Sequence, residues 1–225
     1  MNSYNIERAF SKPRFYRYLA ASNGNWQTAL ELYRTNVRLS SRFFAILNVF
    51  EVVFRNAINE HYINQFGKNW LFIQSAPKGF LANPGCEKSR KTVLEAIQKL
   101  GNNYSQDKMV AACSFGFWRF LFASKEFSAA GSTLLRIFPN KPKGGNYNHT
   151  YVFNELFKIN EIRNRIAHHE PICFAPQLSK ISCWPVVESN SILREMLEWL
   201  DFEPRAIFLD IDFIYEELRH LANKQ

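Results

Sequence analysis

Residues Trp26–Phe66 read WQTALELYRTNVRLSSRFFAILNVFEVVFRNAINEHYINQF, a stretch without glycine or proline that Gly67 ends. Both residues that break helices cheaply are missing from it. Phe43, Ile46/Leu47, Phe50, Val53/Phe54 and Ala57/Ile58 recur with a period near 3.6, the spacing of one apolar helical face. The stretch predicts either one long helix or two with a bend near Ser40-Ser41. Just ahead of it, Asn23-Gly24-Asn25 breaks the chain and leaves Asn25 placed to cap the helix.

Working outward, the same signals recur. Residues 1–22 hold SKPRF and a short aromatic stretch with room for a first helical turn, and Trp70–Gly85, with Pro77, Gly79 and Pro84, reads as loop. Helices are expected over Glu87–Leu100, Ser105–Ser124 and Lys125–Phe138, stopped by Gly101 and Pro139 in the first and last cases. PNKPKGGNYNHT (Pro139–Thr150) is a basic loop, and Tyr151–His169 is a strong helix halted by Pro171. Residues 172–187 are irregular, and Ser189–Leu200 and Phe208–Asn223 close the chain as helices. Nine glycines and nine prolines are too few turns for an all-β sandwich of 225 residues. The expected fold is all-α: one helical-bundle domain over residues 1–225, with a more acidic C-terminal helical segment at 188–225.

Charge points to a partner. Residues 1–187 carry 24 basic and 11 acidic side chains, net +13, whereas residues 188–225 carry 4 and 9, net −5. A surplus of that size suits a polyanion such as RNA, because each neutralised phosphate releases counterions. The N-terminus lacks the apolar run and small-residue cleavage site of a signal peptide. The longest apolar run, Phe43–Phe54, is interrupted by Asn48 and Glu51 and falls well short of the roughly twenty residues a membrane helix needs. Four cysteines form no CxxC pair. A cytoplasmic protein with reduced thiols and no membrane partner is expected.

The chemistry concentrates in EIRNRIAHHEP, Glu161–Pro171. A histidine titrates near neutrality and can take or give the proton of a ribose hydroxyl, while arginine holds a phosphate as its oxygens gain charge. Arg163 and His168 lie about 140° apart on a regular helix, so they do not share a face. Either the last turn unwinds ahead of Pro171, or a second subunit supplies its own Arg and His to a shared groove. Asn164 and His168, four apart, are neighbours. The competing reading pairs Arg163 with Glu161 or Glu170 and leaves the histidines at a helix C-terminus, where positive charge is favourable.

The string RNRIAHHEP, with Arg163-Asn164 and His168, is similar to the Rx4–6H motif of the HEPN superfamily and resembles Abi-like abortive-infection proteins of the AbiD/AbiF type. Leu47–Trp70, with Glu51, Arg55-Asn56 and Gly67-x-x-Trp70, and SFGFWRFL at Ser114–Leu121 resemble two further elements of that family in the same order. The resemblance implies a HEPN fold, a homodimer that juxtaposes two motifs, and a metal-independent endoribonuclease used as a toxin or phage-defence effector. It leaves room for an antitoxin, RNA or protein. By position it makes Arg163 and His168 the catalytic pair, with Asn164 supporting the polar site and His169 orienting its neighbour. Arg165 departs from the pattern by placing a further charge inside the motif.

Other residues carry weaker expectations. Glu51 and Arg55 at i and i+4 read as a supporting network or a helix ion pair. Arg55 with His61 repeats the Arg-His pattern, about 240° apart. Lys141, Lys143 and Arg165 are placed to touch an RNA backbone. Phe115–Phe122 reads as core, with Trp118 and Arg119 as an alternative base-stacking pair. No phosphate loop, nucleophile elbow, dinucleotide fingerprint or HExxH is present. His168, His169, Cys173 and Cys183 match no standard zinc spacing, so no metal and no cofactor is expected. A HEPN module that binds RNA or a protein without cutting, and a purely structural helical protein, remain the alternatives.

Overall fold

The computed structural model describes residues 3–175 and 177–222. In chain order the helices are α1 (Ser3–Phe10), α2 (Lys12–Ala21), α3 (Trp26–Phe66), α4 (Trp70–Ser75), α5 (Glu87–Leu100), α6 (Gln106–Ala112), α7 (Phe115–Phe120), α8 (Ser124–Ala129), α9 (His149–Ala167), α10 (Trp184–Trp199), α11 (Pro204–Ile207) and α12 (Ile214–Ala222). Short 3-10 turns lie at Phe80–Ala82, Gly101–Asn103 and Leu134–Ile137. Among the described residues there is no strand, only an isolated bridge between Phe174 and Ile181. The chain is all-α. The expected end of the last helix at Asn223 lies outside the described residues.

The Gly/Pro-free stretch forms one helix of 41 residues without a break at Ser40-Ser41. Asn25 caps it, its Oδ1 accepting the Thr28 N–H at 3.0 Å. Backbone contacts resolve the chain into two compact units: Met1–Asn48, Glu161–Leu193 and Phe208–Gln225 form one, and Val49–Asn160 with Arg194–Ile207 the other.

The first unit is built on aromatic packing. Tyr18 meets the rings of Phe174 at 5.2 Å and Tyr33 at 5.4 Å, and Phe15 stacks on Trp26 at 5.6 Å. Pairs at these separations add about 0.5–1.5 kcal/mol beyond their buried area. The acidic C-terminal helix is tied to α3 by charge. Arg38 bonds the buried Glu217 at 3.1 Å, and Arg42 bonds Glu216 at 2.6 Å and Glu217 at 3.4 Å. Part of the C-terminal negative charge is therefore spent inside the unit.

In the second unit the stripe Phe50, Phe54, Ile58 and Tyr62 is fully buried. Phe54 stacks on Phe122 at 5.8 Å, and Trp70 packs on Tyr62 at 4.7 Å and on Trp118 at 6.4 Å. Asn59 Oδ1 accepts both the Trp70 indole N–H at 2.9 Å and the Gln106 amide at 3.0 Å. Trp70–Ser75 is a short helix where a loop was expected, and that indole bond anchors its first residue. The helix expected over Ser105–Ser124 is two, because Cys113 turns extended (φ −76°, ψ 130°) and its carbonyl accepts the Trp118 indole at 3.2 Å. The helix expected over Lys125–Phe138 stops at Ala129, where Gly131 takes a left-handed conformation (φ 87°) that closes the turn.

Candidate functional site

The motif sits where α9 ends, so the way that helix stops decides its geometry. Asn148 starts the helix, its Oδ1 accepting the Tyr151 N–H at 3.0 Å. Ile159 and Ile162 are buried on its inner face, while Ile166, one turn on, is half-buried at the rim of a cavity. The helix stays regular through His168, whose N–H reaches the Asn164 carbonyl at 2.9 Å. His169 then turns left-handed (φ 57°). Its N–H bonds the Ile166 carbonyl at 3.0 Å, and that of Glu170 bonds the Arg165 carbonyl at 2.7 Å. This is a Schellman closure with histidine in the place glycine usually takes.

The segment beyond is held from three sides within the first unit. Arg165 donates to the Pro171 carbonyl. Buried Asn36 accepts the Ile172 and Cys173 N–H groups at 2.8 and 3.1 Å. Arg17 reaches the Ala175 carbonyl at 2.9 Å, bonds the Leu178 carbonyl, and lies over the Phe174 ring at 4.8 Å. Burial and the neighbouring Arg17 lower the Arg165 pKa, which still leaves that group charged. Arg165 was expected to touch RNA; here it braces the turn.

This closure settles the intrachain geometry of Arg163 and His168. The last turn does not unwind ahead of Pro171, so the two side chains leave a regular helix about 140° apart. Arg163 is half-buried and makes no ion pair among the described residues, so the pairing with Glu161 or Glu170 is not formed. Its Nε is buried without a hydrogen-bond partner, which leaves the guanidinium unspent. Asn164 is half-buried, and His168 and His169 are both exposed.

His169, and not His168, lines a cavity of about 460 Å³ within the first unit. Arg14 of α2 and Tyr33, Ser40 and Ser41 of α3 share it, over a floor that includes Val37 and Phe44. One arginine, one imidazole, three hydroxyls and the Glu170 carboxylate surround a partly apolar floor, so the wall carries both signs of charge. In the sequence Ser40-Ser41 reads only as a bend, and Arg14 falls within SKPRF without a role of its own. A polar pair interrupting the apolar periodicity of α3 was the available signal.

The remaining expected residues lie elsewhere. Glu51 and Arg55 belong to the second unit and are half-buried, and Arg55 Nε has no hydrogen-bond partner. Lys141 and Lys143 also belong to the second unit, Lys143 exposed and Lys141 Nζ donating to the Pro142 carbonyl at 3.3 Å. Trp118 is fully buried, and the Arg119 guanidinium is buried over the Phe120, Phe153 and Phe157 rings at 4.7, 4.3 and 5.2 Å. Neither offers a base-stacking face. All four cysteines are free thiols; burial pushes Cys173 up to about 12 and keeps it protonated. Among the described residues no three His, Cys, Asp or Glu side chains are grouped to hold a metal, and no helix is long and apolar enough to cross a membrane. No family model, curated protein or solved structure matches the chain.

Proposed function

We propose that the chain is a metal-independent endoribonuclease of the HEPN type, acting as a toxin or abortive-infection effector with its active groove formed by two copies. The resemblance of RNRIAHHEP to that family supports the reading. The observation that carries it is the α9 terminus, where an unpaired Arg163 and two exposed histidines stand within seven residues. In the mechanism, a histidine takes the proton of a ribose 2′-hydroxyl, and that oxygen attacks the adjacent phosphorus. The 5′-oxygen leaves with a proton from the second imidazole, while arginine holds the charge that builds on the phosphate oxygens. RNA supplies its own nucleophile, so the products are a 2′,3′-cyclic phosphate and a 5′-hydroxyl.

The test is cleavage of total RNA by the purified chain in EDTA, with the ends identified chemically. Arg163→Ala and His168→Ala are each expected to lower the rate on the order of 100-fold or more, because transition-state charge is focused on one phosphate. RNA binding is expected to change little, since it rests on the diffuse basic surface. Arg163→Lys is expected to fail as well, because an ammonium lacks the two-pronged fork. Activity that EDTA abolishes and Mg²⁺ restores, or equal cutting of DNA, would overturn the mechanism. One geometric fact favours the alternative, an RNA-binding module without activity: within a single chain Arg163 and His168 point apart. RNA retardation with no cleavage would select it.

A further inference from the structure

A second polar cavity, about 430 Å³ in volume, lies wholly within the second unit and shares no residue with the α9 terminus. One wall is a face of α3. Asn56, Glu60 and Asn64 follow one another at i, i+4 and i+8, with His61 beside them. At 100° per residue, the α3 side chains that line it fall within an arc of about 140°. The facing wall brings Arg136 from the 3-10 turn and an apolar surface that includes Leu200 and Phe202. Glu60 and Arg136 carry opposite charges on one cavity, yet neither is in an ion pair among the described residues. The Asn56 and Asn64 amides likewise make no hydrogen bond there.

The state of His61 is fixed by a chain of bonds. The Gln65 amide donates to the Ala130 carbonyl at 2.8 Å, which turns its Oε1 toward Thr133. The Thr133 hydroxyl donates to that oxygen at 2.5 Å, so it has only lone pairs left for His61 Nε2 at 2.9 Å. His61 therefore carries its proton on Nε2. Burial, with the positive Arg136 nearby, lowers its pKa, so at neutral pH the ring is uncharged and Nδ1 keeps a lone pair. Gly131 belongs to this support: its φ of 87° lets the chain turn, and a Cβ there would stand 3.3 Å from the Gln65 amide nitrogen.

The site thus offers one fixed cation, one carboxylate, a neutral imidazole, two unspent amides and an apolar wall. We propose that it binds a small zwitterion, an α-amino acid with an apolar side chain. Arg136 matches the ligand carboxylate with its fork. Glu60, with the asparagine oxygens and the neutral imidazole, offers acceptors to the ammonium, which a charged imidazole would repel. The side chain covers Leu200 and Phe202. A dianionic ligand fits less well, because the formal charges of the wall cancel. The volume lies in the range of small-ligand sites.

Calorimetric titration of the full chain with L-leucine, L-methionine and L-phenylalanine tests this, beside their N-acetyl and C-amide forms and inorganic phosphate. At least one free amino acid is expected to bind with a Kd of about 1 mM or tighter. Capping either end is expected to weaken it at least about tenfold, as are Glu60→Gln and Arg136→Gln. Circular-dichroism melting shows whether each variant folds; both side chains are exposed and outside any ion pair, so it is expected to be unchanged. The capped ligands test the proposal on the unaltered protein. No heat with any amino acid at about 10 mM, equal binding of the capped forms, or preference for phosphate would overturn it.

Discussion

His169 does two jobs that substitution can separate. Its backbone stops α9 in a left-handed turn, a conformation that costs a residue with a Cβ about 1–2 kcal/mol and costs glycine almost nothing. Its imidazole lines the cavity shared with Arg14. His169→Gly keeps the turn and deletes the ring, so we expect unchanged or higher stability to urea together with weaker RNA handling. His169→Val keeps a side chain but sets a β-branched residue at positive φ, and is expected to be less stable to urea than wild type. A His169→Gly protein less stable than wild type would show that the ring, and not the backbone, holds the terminus. His168 has no such backbone duty, so its loss is expected to appear in activity alone.

At the scale of elements, Glu126 of α8 shows what the second unit spends on burial. Its carboxyl is almost wholly enclosed, accepts the Ser89 hydroxyl at 2.6 Å, and has its pKa raised mainly by burial. A carboxyl raised in the folded state favours folding below the unfolded pKa, and that contribution is lost as pH rises through the folded value. Glu126→Gln removes the ionisation, so its melting temperature is expected to exceed that of wild type at pH 7.5, by about 2–4 °C if the gain is ~1 kcal/mol. The gap is expected to close toward pH 4; a gap independent of pH would assign the effect to packing. The same region marks the limit of what periodicity reveals. α3, α5 and α9 were legible because long runs without glycine or proline end at Gly67, Gly101 and Pro171. The breaks at Cys113 and Gly131, and the helix at Trp70, were not, because each depends on a turn or an indole bond formed with the folded chain. At the site, the motif residues were legible but the cavity was not. Arg14 and Ser40 are brought to His169 by folding, across distances in sequence that no local pattern spans.

For the molecule as a whole, the proposed nuclease requires that one motif per chain make a working groove. The net charge of +13 over residues 1–187 favours a polyanion, and Glu216 and Glu217 of the acidic segment are already paired with Arg38 and Arg42. For the proposed reaction, the 140° divergence of Arg163 and His168 opposes catalysis by one copy. A twofold axis solves this if Arg163 of one chain works with His168 of the other. Complementation then distinguishes the two arrangements. Arg163→Ala and His168→Ala chains, each inactive alone, are unfolded together and refolded. Random pairing makes about half of the dimers mixed, and each mixed dimer has one of its two composite grooves intact, so activity of about a quarter of wild type is expected. A groove that draws both residues from the same chain gives no recovery, because every copy lacks one of them. Light scattering on the same samples completes the argument: wild-type protein that cuts RNA while monomeric at micromolar concentration would remove the need for a partner and, with it, this account of the site.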